Sequence, residues 1–235
     1  MSTPVRAILI GAAPLQTRAE REWLKLAVSA LKISRSQDLL IGVDGGLNRW
    51  RDLKIVPDLA VGDWDSLKFS SKKERDFFGE IPHISLPQEK DRSDLFYALA
   101  AAVDRGATQI VCFGVMGERP DHTLATLLEL QGLAASRFCP CDGILALSPE
   151  AECHFVSPKT SPWFRTFKKG QSVSIFSLSG TARGVTLRGF DFPLRDALLK
   201  PSSRGLSNRA RGGMASVSVR SGAVVVMLAR HSTIG

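Results

Sequence analysis

The chain has 235 residues, 44% of them apolar and 23% charged, the balance of an ordinary globular protein with room for one large domain or two modest ones. No apolar run approaches the ~20 residues of a membrane helix, and the four cysteines lack a second Cys/His pair at zinc spacing, so neither a membrane span nor a zinc site is expected. The net charge of +8 favours anionic partners, but no RNP, helix-turn-helix or zinc-finger signature accompanies it, so charge alone does not separate nucleic acid from a polyphosphate nucleotide.

In chain order, the first apolar run, residues 7–10, ends at Gly11 and is too short for the core of a signal peptide; it predicts a buried strand and a cytoplasmic protein. Thr17-x-x-Glu20 is a capping box, and Trp23, Ala27, Ala30 and Leu31 behind it predict a helix with one apolar stripe. Runs at 39–43, 59–61 and 110–113 predict further buried strands. A second helix carries Leu95, Ala98, Leu99, Ala102 and Val103 and stops at Gly106. A third carries Leu124, Leu127, Leu128 and Gln131 and stops near Gly132. Alternation of this kind predicts a parallel α/β domain over residues 1–148. From 149 to 235 the helical period is gone. Runs at 173–178, 185–187, 215–219 and 223–228 predict a small antiparallel β-sandwich, the last two as a hairpin around Ser221-Gly222.

The acidic residues fall just after the predicted strands. Asp44-Gly45-Gly46 follows the second and Gly62-Asp63-Trp64-Asp65-Ser66 the third; Asp91-Arg92-Ser93-Asp94 and Arg119-Pro120-Asp121-His122 open two helices. In a parallel sheet these turns share the carboxyl edge, where ligands bind. Taken singly, each has a plain structural use: Asp63 or Asp65 as turn residues, Ser93, Asp94 or Asp121 as helix caps, Gly45-Gly46 as a bend. Four acidic turns on one edge exceed what capping requires, and like charges repel unless a cation neutralises them. Mg²⁺ does so with one or two carboxylates plus substrate phosphates. Asp63 and Asp65, two residues apart, can face the same way, while Lys90 and Arg119 can engage phosphate oxygens. These are parts of a phosphoryl-transfer site. Gly114-x-x-Gly117 lacks the Gly-Lys-Ser/Thr ending of a P-loop, though a glycine-rich turn suits the approach of a phosphate. His122 reads equally as a buried histidine or a catalytic one; His83, His154 and His231 receive no role.

Asp44-Gly45-Gly46, Pro57-Asp58, Gly62 to Ser66, Asp91 to Asp94, Gly114 to His122, and Arg204-Gly205-Leu206-Ser207-Asn208 together resemble, in order, the motifs of the thiamine pyrophosphokinase family. The segments 174–178 and 189–194 and the final pair of strands continue the likeness, which covers nearly the whole chain. The resemblance implies pyrophosphoryl transfer from ATP to the hydroxyl of thiamine, with Mg²⁺, in a homodimer whose thiamine site lies between the α/β domain of one subunit and the β domain of the other. Carried over by position, it implies Asp63, Asp65 and Asp94 as holders of Mg²⁺ and phosphates and Asp121 beside them. Asp44, Gly45, Gly46, Lys90, Asp91, Gly117, Arg119 and His122 would line the ATP site, and Ser207 and Asn208 would meet thiamine. The chain departs from the family pattern at Ser93 and Thr126, where Thr and Asn are usual, at Glu118 and Pro120 in the glycine-rich turn, and at Asp191-Phe192, where Lys and Tyr are common.

Two other readings stand beside this one. A pyrophosphokinase acting on a hydroxymethyl pterin shares much of the Asp scaffold, but the 205–208 segment and the β domain favour thiamine. A basic nucleotide- or RNA-binding module would have no use for four acidic turns, which repel a phosphate backbone. No nucleic acid and no membrane are expected as partners.

Overall fold

The computed structural model describes residues 5–63, 76 and 78–230. Contacts cluster into two units, Met1–Thr123 and Leu124–Gly235. The first unit contains β1 (Val5–Ile10), α1 (Arg18–Ala30), β2 (Asp38–Val43), α2 (Gly46–Asp52), β3 (Leu59–Gly62), β4 (His83–Ser85), α3 (Asp94–Asp104) and β5 (Ala107–Phe113). Its strands lie in the order β4-β3-β2-β1-β5, every neighbouring pair parallel. A parallel sheet needs crossovers between strands, and helices that cover both faces make the strands apolar throughout. Residues 7–10 of β1 accordingly have no exposed surface.

The capping box of α1 forms as read: Thr17 Oγ1 accepts from the Glu20 N–H at 3.1 Å, and Glu20 Oε2 accepts from the Thr17 N–H at 2.8 Å. The buried stripe behind it runs through Leu24 and Val28, with Trp23 and Ala27 half-buried beside them and Ala30 exposed. The buried stripe is thus rotated by about one position from the expected one, because small Ala marks the buried face less strongly than Leu or Val. Trp23 meets Phe113 of β5 edge to face, with centroids 6.1 Å apart. Helix α3 buries Leu95, Ala98, Leu99, Ala101 and Ala102.

Helix α4 (Pro120–Ala135) passes the division between the units and continues through Gly132. It buries Thr126, Leu127, Leu130, Gln131 and Ala134, whereas Leu124 is 55% exposed, so the expected stripe and stop are both displaced. Buried Gln131 explains the choice of face. Its amide donates to the Ala223 carbonyl at 2.7 Å and accepts from the Leu178 N–H at 2.9 Å, so a polar residue holds an interior position.

The second unit then runs β6 (Gly143–Leu147), β7 (Ala151–Val156), β8 (Trp163–Phe167), β9 (Ser172–Phe176), β10 (Ala182–Arg188), β11 (Leu194–Leu199), β12 (Asn208–Arg209), β13 (Gly213–Ser218) and β14 (Val224–Ala229). One antiparallel layer has the order β6-β7-β14-β9-β12 and the other β11-β10-β13-β8. Val156, Ile175, Val224 and Val226 of the first layer pack with Phe167, Val185, Leu187 and Val217 of the second in one core, which makes this unit a sandwich. The expected hairpin of β13 and β14 does not form. β13 pairs with β8 and β10, and β14 with β7 and β9, so Ser221-Gly222 carries the chain from one layer to the other. Residues 224–226 are all fully buried, the mark of a central strand covered on both faces.

Candidate active site

Because β1, β2, β3 and β5 are parallel, the turns after them share one edge of the first unit. Asp44 ends β2 in the left-handed region, φ +47°, and its N–H donates to the Val61 carbonyl of β3 at 2.8 Å. The next turn is tight: a methyl group on Gly46 would sit 1.9 Å from the Ile10 carbonyl oxygen, so only glycine lets α2 start against β1.

Asp63 follows β3. Its Oδ2 accepts from Lys90 Nζ at 2.7 Å, and the same ammonium donates to the Pro87 carbonyl at 3.1 Å. Lys90 Nζ also lies 3.2 Å from Asp94 Oδ1 at the start of α3, an ion-pair contact that falls short of hydrogen-bond geometry. The side chains of Lys90, Asp63 and Asp94 are 10%, 11% and 20% exposed, so this is a largely desolvated cluster. Burial raises the Asp94 carboxyl above its usual range; Lys90 opposes this, and the like charges of Asp63 and Asp44 add to it. The hydrogen bond to Asp63 is the main reason the Lys90 ammonium is held above its ordinary value.

Three expected residues, Asp44, Asp63 and Asp94, are therefore neighbours, and Lys90 pairs with the last two. Asp65, with Trp64 and Ser66, lies outside the described residues. Among the described residues no group of three or more His, Cys, Asp or Glu side chains is arranged to hold a metal ion. The donor set nevertheless suits Mg²⁺. Among the described residues, buried Asp44 Oδ1 and Asp94 Oδ1 have no hydrogen-bond partner, and one or two carboxylates completed by phosphates are the usual complement of that ion. Ser93 is the N-cap of α3, its hydroxyl accepting from the Phe96 N–H at 3.2 Å, while Asp91 is exposed.

The turn after β5 forms a second group. Thr123 Oγ1 accepts from the Gly117 N–H at 3.0 Å and donates to its carbonyl at 3.2 Å, closing the turn over the start of α4. Arg119 grips Asp121 with two hydrogen bonds, Nη2 to Oδ2 at 2.6 Å and Nε to Oδ1 at 3.2 Å, both side chains 63% exposed. This guanidinium pulls the Asp121 carboxyl down to about 2. His122 is exposed. The loop after β1 also belongs to this edge, although no motif in the sequence singles it out. Gly11 N–H donates to the Phe113 carbonyl and Ala13 N–H to that of Gly114, each at 2.8 Å, so this loop supports the turn after β5. The available signal was Gly11-Ala12-Ala13-Pro14 directly after the first strand.

In the second unit Ser207 is exposed with φ +52°, and its N–H donates to Ser174 Oγ at 3.0 Å. Asn208 beside it is buried, 2% exposed, and bonded to the backbone of Phe192.

Two family models match the chain: "Thiamin pyrophosphokinase, catalytic domain" over residues 30–138 and "Thiamin pyrophosphokinase, vitamin B1 binding domain" over residues 163–224. A thiamine pyrophosphokinase of Bacillus subtilis (strain 168) is 27% identical over 162 residues, 67% of this chain and 71% of that one. The crystal structure of thiamine pyrophosphokinase from B. subtilis superposes with a TM-score of 0.73 at 21% identity, covering 95% of this chain and 98% of that one. The enzyme from Geobacillus thermodenitrificans gives 0.72 at 22% identity, covering 97% and 99%. The yeast enzyme gives 0.68 at 14% identity, covering 98% and 88%, so the architecture persists where the sequences have diverged.

Proposed function

The chain belongs to the thiamin pyrophosphokinase family, and from that premise we infer that it transfers the pyrophosphoryl group of ATP to the hydroxyl of thiamine, giving thiamine diphosphate and AMP. The observation that carries the reading is the desolvated cluster of Asp44, Asp63, Asp94 and Lys90 at the carboxyl edge, in a chain that also matches a vitamin B1 binding domain. Function divides at about residue 148, with ATP on the α/β part and thiamine on the β part.

Asp63, Asp65 and Asp94 would hold Mg²⁺, which when bound neutralises charge on the phosphates and favours attack at the β-phosphorus. Lys90 supplies a cation already in place, fixed by Asp63 and the Pro87 carbonyl. Asp44, Gly45 and Gly46 shape the floor of the ATP site, and Asp91, Gly117 and His122 line it. Arg119 receives phosphate oxygens in its fork, oriented by Asp121. With its carboxyl at about 2, Asp121 is a weak proton acceptor and serves Arg119 rather than the thiamine hydroxyl. Ser207 meets the thiamine ring system from the β part.

The active site is proposed to join two subunits of a homodimer. Charge supports this: residues 1–148 carry 18 Lys and Arg against 19 Asp and Glu, while residues 149–235 carry 13 against four. A basic β part of one subunit thus suits the acidic edge and bound phosphates of another. A cytoplasmic setting agrees with four cysteines that are all free thiols.

The test is AMP release from ATP and Mg²⁺ with and without thiamine. Thiamine-dependent AMP together with thiamine diphosphate, and no ADP, is the expected result. AMP formed with a hydroxymethyl pterin but not with thiamine would replace the acceptor and leave the transfer chemistry in place.

A further inference from the structure

The amide of Asn208 has little left to offer a ligand. Its Oδ1 accepts from the Phe192 N–H at 3.1 Å and the Arg209 N–H at 2.9 Å, and its Nδ2 donates to the Phe192 carbonyl at 2.9 Å. Three of its four hydrogen bonds are therefore made within the second unit, by a side chain that is almost wholly buried. The neighbouring backbone runs along the same turn. Asp191 N–H donates to the Arg209 carbonyl at 2.8 Å, Phe190 and Ala210 form a bridge, and Arg211 N–H donates to the Gly189 carbonyl at 2.9 Å. The buried ring of Phe190 packs against Phe167, centroids 5.9 Å apart, and anchors the base of the turn.

At the tip of this fixed frame the Phe192 ring is 70% exposed. Other aromatics are less available. Trp163 is half-buried between His154 at 5.0 Å and Phe167 at 6.2 Å, and Trp64 lies outside the described residues. A large apolar ring left in water, with both of its backbone hydrogen-bonding groups clamped by one buried amide, is organised to meet something flat and apolar.

We propose that Asn208 is a positioning residue for the acceptor: its side chain does not grip thiamine but fixes the Asp191-Phe192-Pro193 turn against which the aromatic part of thiamine docks. The inference deepens the thiamine reading above and rests on it. It separates Asn208 from exposed Ser207, its neighbour, which remains free to touch the substrate directly.

The experiment measures thiamine kinetics for wild type, Asn208→Asp, Phe192→Ala and the double variant. Asp is isosteric and keeps both acceptor bonds, but it sets an oxygen against the Phe192 carbonyl in place of the donor. Asn208→Asp should raise KM for thiamine about tenfold with kcat within twofold and KM for ATP unchanged. In the Phe192→Ala background the same change should add less than twofold, because the turn no longer presents a ring. An undiminished tenfold effect in that background would assign Asn208 a direct contact and overturn the proposal. So would unchanged thiamine kinetics in the single variant. If Asn208→Asp does not fold, amide hydrogen exchange at Phe192 in the wild type decides: bound thiamine should slow it, and no change overturns the idea. Wild type that turns over a pterin alcohol but not thiamine would sink the underlying reading, an outcome distinct from all of these.

Discussion

Lys90 directs its ammonium at three oxygens, those of Asp63, Asp94 and the Pro87 carbonyl, from a side chain only 10% exposed. Removing it would leave Asp44, Asp63 and Asp94 close together with no cation paired to them among the described residues. Lys90→Met should therefore cost about 1–3 kcal/mol of stability, at or below the usual range for breaking a buried pair because the partners keep some water. Added Mg²⁺ should recover more of the thermal midpoint in the variant than in wild type, and equal recovery would mean that lysine and metal do not address the same carboxylates. Asp63→Asn should lower turnover by at least ~100-fold while the thermal midpoint moves by only a few degrees, since that side chain works on charge and not on packing. Circular dichroism melts beside AMP release would separate the two effects. The acidic residues of this cluster were readable from their places after strands. The position of Lys90 between Asp63 and Asp94 was not, because Asp63 is 27 residues away in sequence and the chain between must close on itself first. The same holds for Asn208 and Phe192, joined across 16 residues.

Single elements are legible in the sequence where one period dominates and obscure where a strand is covered on both faces. Strands β1, β2, β3 and β5 of the first unit stand out as apolar runs, whereas β4 is too short and too exposed to be seen, and β14 resembles half of a hairpin because its burial on both faces leaves no alternation to assign a partner. Edge strand β12, with two residues, left no pattern to detect. Glycines sharpen the contrast. At Gly205 a methyl group would lie 2.1 Å from the Ile175 carbonyl oxygen with φ at +101°, so Gly205→Ala should cost roughly 2–4 kcal/mol or prevent folding. Gly132 sits inside α4 with nothing within 4 Å of its would-be methyl, and Gly132→Ala should add about 0.5–1 kcal/mol. Urea titrations of the pair would test both signs. Between the layers of the sandwich, Glu152 of β7 accepts from His154 at 2.6 Å and from Arg165 of β8. Burial pushes the Glu152 carboxyl up, but the hydrogen bonds from His154 and Arg165 outweigh it and bring the group down to about 2. Its contribution, on the order of 2–3 kcal/mol, is complete above the unfolded value of about 4.5 and disappears as pH falls through 2. Glu152→Gln should flatten that part of the stability profile, lowering stability fully above about pH 5, progressively less between 5 and 2, and not at all below 2, which acid titration of thermal midpoints would check.

At the scale of the whole molecule, strand-helix alternation was enough to place an α/β domain before a β one, because layer architecture follows from which faces must be buried. Whether one chain can complete its own site is a different matter, since a sequence carries no direct mark of a surface that meets a second copy. The charge contrast between residues 1–148 and 149–235 fits the proposed site assembled from two subunits, and mixing variants impaired in different parts tests it. Asp63→Asn damages the acidic edge and leaves the β part intact; the Phe192→Ala, Asn208→Ala double variant does the reverse. In a dimer with shared sites, each mixed dimer contains one site in which both contributions are native. Random re-pairing of equal amounts should then restore about a quarter of wild-type activity at limiting thiamine, because half of the dimers are mixed and half of their sites are whole. A site built within one chain would regain nothing on mixing, as every chain in the mixture carries one of the two defects. Raised salt during the re-pairing should slow recovery if the charge contrast steers association, and leave it unchanged if apolar contact alone joins the subunits.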